Sequence, residues 1–132
     1  MPTIPWQNLD STLTDDTEVV VMASRFQLHK LSQVPRFFLD AMKIHRQVGR
    51  SEGAVGISLE AHPLRREFFT LSAWRDQASI DAMIRQEPHR GAMSRHRRAM
   101  ASSAFIFYRL PAGQLPAGWE DAHVRLAGNE AG

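Results

Sequence analysis

The sequence contains no cysteine. Disulfides, thiolate nucleophiles and Cys-ligated zinc are excluded in one step. Six histidines still leave haem ligation open. Net charge is also slight, at +2, and the sequence pI of about 9.7 reflects arginines that stay charged at any relevant pH. So small an excess argues against a nucleic-acid partner. No apolar run approaches the ~20 residues that span a bilayer, and the N-terminus lacks a basic-then-apolar signal pattern, so no membrane partner and a cytoplasmic location are expected. Gly49, Gly53 and Gly56 lack the spacing and the lysine of a phosphate loop. Neither a Gly-x-Ser-x-Gly elbow nor a His-Glu-x-x-His metal motif occurs.

What is present is ordinary globular composition, 43% hydrophobic and 23% charged over 132 residues, enough for one domain with one core. Residues 1–16 show no periodicity and form an N-terminal arm that Trp6 pins to the body. A valine-rich strand follows from Thr17 to Leu28. Ser32 is the expected N-cap of a helix whose Val34, Phe37, Phe38, Ala41, Ile44 and Val48 recur at three- and four-residue steps. Pro35 suits its first turn.

From Ala54 to His62 and from Glu67 to Trp74 the period is two, predicting a hairpin. Asp76 or Ser79 opens a short helix, Pro88 breaks it, and a second piece carries His89, Met93, His96 and Met100 on one face. A last strand spans 104–110, and 111–132 forms a C-terminal extension whose end, from Gly128, looks disordered. The order β-α-β-β-α-β is ferredoxin-like, an α+β fold with an antiparallel sheet, here over residues 17–110. Helices cover one sheet face only. The other is expected to carry Val20, Met22, Phe26, Phe68 and Trp74, too apolar to stay wet, which predicts a homodimer.

That uncovered face also presents Ser58, Glu60, His62, Phe68, Thr70, Ser72 and Trp74, aromatic lining with a few polar groups, as small-molecule sites have. Against this, Glu60 and His62 could merely reach a wet rim, and Trp74 could be packing alone. His89 and His96 share an inward face with Met93; a histidine there suits a general base or a haem ligand, or is a satisfied core residue. His45, at the edge of the first helix, receives no functional weight. Arg90, Arg95, Arg97 and Arg98 form a solvated face, since no aromatics interleave with them.

The stretch from Phe68 to Asp76 (FFTLSAWRD), an apolar helix, and then Pro88-His89-Arg90-Gly91-Ala92-Met93 resemble the dimeric α+β-barrel superfamily. Within it the chain is similar to antibiotic biosynthesis monooxygenase-like and DUF3291-like proteins. The resemblance implies a ferredoxin-like dimer with a pocket between sheet and helices. It also implies a cofactor-independent monooxygenase acting on a small aromatic, phenolic, polyketide-like substrate. Trp74 would be the pocket tryptophan and His89 the base, with Ser58, Glu60, His62, Phe68, Thr70, Ser72, Met93 and His96 binding substrate. Thr70 stands where such enzymes tend to have asparagine. Other members bind or degrade haem, but Asn8 lies before the first strand and His89 is far from Trp74. A non-catalytic small-molecule-binding dimer is the remaining alternative.

Overall fold

The computed structural model describes residues 3–10, 12–87, 89–115 and 118–131, and of Thr3 and residues 129–131 only the backbone. Pro88, the expected helix breaker, lies outside these residues, as does Gly132. Five strands, β1 (Thr3–Asn8), β2 (Glu18–Leu28), β3 (Ala54–His62), β4 (Glu67–Trp74) and β5 (Met100–Pro111), form one antiparallel sheet in the order β1-β3-β4-β2-β5. Among the described residues there are four α-helices: α1 (Val34–Gly49), α2 (Gln77–Arg85), α3 (His89–His96) and α4 (Trp119–Ala131). The α+β ferredoxin-like class is as expected; β1 and α4 are additions to it. The stretch from Gly128, expected to be disordered, continues α4 instead.

β2 lies between β4 and β5 and is covered on both faces, so Val19, Val20, Val21, Met22 and Ala23 are all buried. An unbroken apolar run, not an alternating one, is the signature of such a strand. Val20, Met22, Phe26, Phe68 and Trp74 point toward α1–α3. Val19, Val21, Ala23, Phe69, Leu71 and Ala73 point to the opposite face. The expected facing was therefore inverted. That opposite face is not bare, because Ala122 and Leu126 of α4 are packed on it, and the chain itself supplies the cover that a second copy was invoked to provide. Burying a leucine such as Leu126 contributes roughly 1.5–3 kcal/mol.

The expected arm is largely a strand. β1 pairs with β3, and the Trp6 ring lies so close over Gly56 that a Cβ there would meet it at 2.1 Å. Glycine is what lets the indole approach the sheet. Beyond β1, Asp10 accepts hydrogen bonds from Thr12 and Arg75, and these hold its carboxyl down at about 2.

Helix starts follow local chemistry. Asp76 caps α2 by accepting from the Ser79 N–H at 2.8 Å. Ser32 does not cap α1. A 3-10 turn (Leu31–Gln33) intervenes, and Gln33 Oε1 accepts from the Lys30 N–H at 3.0 Å instead. Pro35 does sit in the first turn of α1.

Candidate functional site

Two rows along α1, Phe37–Ala41–His45 and Asp40–Ile44–Val48, face the sheet because residues four apart share a helix face. Opposite them, alternate residues Met22, Ser24 and Phe26 of β2 and Phe68, Thr70 and Ser72 of β4 form the floor. α3 closes the side with His89, Ala92, Met93 and His96. Between these elements lies a cavity of about 50 Å³, walled mainly by apolar side chains.

Its polar groups fall into three kinds. Ser24 and Thr70 hydrogen-bond each other, and Ser72 accepts from the Trp74 indole N–H at 2.8 Å, so the floor is internally satisfied. Asp40 and His96 form a pair, Nε2 to Oδ2 at 2.7 Å, with both side chains more than nine-tenths buried. Burial alone would raise the Asp40 pKa, but the His96 hydrogen bond and the nearby Arg95 charge outweigh it, and the carboxyl lies below its ordinary 3.8. Asp40 is therefore ionised and accepts, which places a proton on His96 Nε2.

The third kind is unsatisfied. Among the described residues, His45 Nδ1 and His89 Nδ1 are buried with no hydrogen-bond partner, and both residues line the cavity. Burial pushes both rings below 6.5, and for His89 a hydrogen bond to the Ile84 carbonyl offsets part of this. Both are neutral at pH 7. With Nδ1 unpartnered, the Ile84 bond belongs to Nε2, so His89 Nδ1 carries a free lone pair. The ring is held by its backbone, whose N–H donates to Gln47 Oε1 at 3.0 Å while Gln47 Nε2 donates to the Met83 carbonyl at 3.0 Å. One buried glutamine thus ties α1 to the end of α2 and the start of α3.

The expected site residues divide between the two faces. His89, His96, Met93, Phe68, Thr70 and Ser72 converge on the cavity. Trp74 does not line it; it is fully buried with Val20, Ile80 and Met83, and its indole N–H donates to Ser72, which does. Glu60 and His62 lie on the α4 face. The register sets Ser58 opposite Leu71 and Glu60 opposite Phe69, and directly paired residues share a face.

There Arg65 donates to His62 Nδ1 at 2.6 Å, so Nε2 carries the ring proton and donates to Glu60 Oε1 at 2.6 Å. His123 of α4 reaches the same Glu60 oxygen at 3.1 Å and stands edge-on to Phe69. Ser58 borders the cavity, but its hydroxyl is engaged with the Ile4 carbonyl and the Trp119 indole N–H. This second cluster docks α4. Asp40 and Ser24 belong to the cavity and were not singled out from the sequence, although a carboxylate within the apolar stripe of α1 was a visible signal; His45, given no functional weight there, lines the cavity as well.

No family model and no curated protein matches this sequence. Solved structures do. A conserved protein from Methanosarcina mazei Go1 superposes with a TM-score of 0.62 at 14% identity, over 71% of this chain and 94% of its own. A mutant form of SnoaB, a cofactor-independent oxygenase from Streptomyces nogalater, gives 0.59 at 16% identity over 75% and 98%. An antibiotic biosynthesis monooxygenase gives 0.61 at 9% identity over 67% and 95%. The chain has the ferredoxin-like fold of the antibiotic biosynthesis monooxygenase-like proteins, as the sequence resemblance implied. At these identities the likeness speaks for fold. No described helix is long and apolar enough to cross a membrane.

Proposed function

We propose that this protein is a cofactor-independent monooxygenase of small hydroxyaromatic molecules, with substrate held between the sheet and α1–α3. The observation that carries the reading is the unpartnered Nδ1 of His89, a buried neutral imidazole on an apolar cavity. Such a lone pair accepts a proton from an acidic substrate O–H or C–H, and low polarity around it favours neutral partners over charged ones. Fold neighbours that include a cofactor-independent oxygenase add support.

In the reaction, His89 Nδ1 takes the acidic proton of a hydroxyaromatic bearing a ring CH₂. The resulting anion supplies the electrons that reduce O₂. One oxygen atom becomes the new ring carbonyl, and the other leaves as water with the two hydrogens of that carbon. Trp74 acts behind the wall, fixing Ser72 through its indole N–H. Thr70, Ser72, Phe68, Met93 and His96 form the substrate wall, with Asp40 holding the His96 ring in place.

Oxygen uptake with an anthrone or a naphthol tests this. His89→Ala is expected to lower turnover by ~10²–10⁴-fold, the range for lost general-base catalysis. Unchanged turnover removes His89 from the mechanism. Saturable binding without product would instead support the binding-only alternative. A haemin Soret band lost on His89 or His96 substitution would support haem. With the sheet face occupied by α4, a homodimer is proposed through the outer edge of β5, to which no described strand pairs. Light scattering near twice 14.9 kDa supports it, and a clean monomer discards it.

A further inference from the structure

A cavity of about 50 Å³ holds roughly three or four waters, whereas a cavity of about 150 Å³ is needed to take up benzene. The enclosed space alone is too small for any aromatic ring. A second concavity, a surface groove of about 650 Å³ between α3 and β5, meets it. Four residues, Phe26, His89, Met93 and Phe105, line both. The groove therefore adjoins the cavity, with His89 in the wall between them.

Its outer wall is unusual for a surface. Phe105 and Phe107 are 42% and 46% exposed, on the edge strand β5 and on the sheet face they share with their β2 partners Ser24 and Met22. The two sit two residues apart on one strand and so present their rings side by side along the groove. Phe105 also packs edge-on against Phe26 at 5.4 Å, between groove and cavity. Two large aromatics left in water beside an enclosed apolar chamber mark a surface that a ligand covers.

We infer that the groove is the outer half of the binding site: a hydroxyaromatic head enters beside His89, and an apolar extension lies on Phe105 and Phe107. Phe105 is the gate between the halves, and Phe107 sets how long an extension is recognised. The inference rests on the cavity being the ligand site but not on any turnover there.

The test is a series of 4-alkylphenols, from methyl to octyl, titrated into the full chain with affinity read by calorimetry. Affinity should rise roughly twofold per methylene, about half the factor for complete burial because the groove covers one side of the chain. Phe107→Ser, a change at a half-exposed position, should flatten that rise. Phe105→Leu should alter affinity across the whole series. A series with no chain-length dependence, or a Phe107→Ser variant that keeps the wild-type slope, overturns the inference. The oxygenase reading is judged separately. A rising series without oxygen uptake from an anthrone keeps the groove and sinks the oxygenase, and anthrone-driven uptake without a rise does the reverse.

Discussion

Asp40 and His96, on different helices, share a buried hydrogen bond of 2.7 Å that closes one end of the cavity. Fifty-six residues separate them in sequence, so the bond is a long-range tie between α1 and α3. Removing one partner leaves the other desolvated and unpaired, which is the expensive way to break such a pair.

Asp40→Ala should accordingly destabilise by about 3 kcal/mol, the lower end for breaking a buried pair, because Arg95 and Lys43 reach the same carboxylate from solvent. The Asp40 carboxyl titrates below 3.8 when folded, so its contribution is present above that pH and disappears as the pH falls through the folded value. Urea midpoints of wild type and variant should draw together as the pH falls below 3.8. A constant gap down to pH 2 would contradict this.

His45 and His89 carry the same sign, in a higher pH window. Both are depressed below 6.5 by burial, so the unfolded chain binds protons that the folded one does not. Stability should fall as the pH drops below 6.5 and level off once the folded rings titrate. A His45→Gln/His89→Gln double variant is expected to lose most of the decline in Tm between pH 7 and 5. An unchanged decline would place its origin elsewhere.

Gly56 and Trp6 form a steric pair. Gly56→Ala should cost about 1–3 kcal/mol through overpacking against the indole. The same change in a Trp6→Ala background should cost less than about 1 kcal/mol, and the coupling in that double-mutant cycle measures the contact. Simple additivity would mean the ring is not held over the glycine.

Leu126 tests the cover on the second face. Leu126→Ala should destabilise by about 2–5 kcal/mol, as for other fully buried leucines. A cost near zero, by chemical denaturation, would show that α4 is not docked on Phe69 and Leu71.

Much of the sheet was legible in the sequence because alternation marks strands well: β3 and β4 fall where the period of two places them. Alternation does not, however, say which set on one strand shares a face with which set on the next. The turn from Pro63 to Arg66 decides that, and it sets Glu60 beside Phe69 instead of Phe68. The expected grouping of Glu60 and His62 with Thr70 and Trp74 failed on this single phase. His89, His96 and Met93 were found because helical spacing is self-contained and needs no partner strand. Asp40 was passed over because an acid in an amphipathic helix ordinarily faces water, although its place in the row with Ile44 and Val48 already put it on the apolar side. β1 escaped notice because Pro5 and Trp6 give no alternating pattern; an edge strand needs none.

α4 follows every strand in the chain, and this has a consequence for biogenesis. During synthesis, β2, β3, β4 and β5 all emerge before the helix that shields Phe69, Leu71 and Ala73. A nascent chain stalled before Trp119 would present an assembled sheet with a naked oily side to its surroundings, where it invites chaperones or sticks to its neighbours.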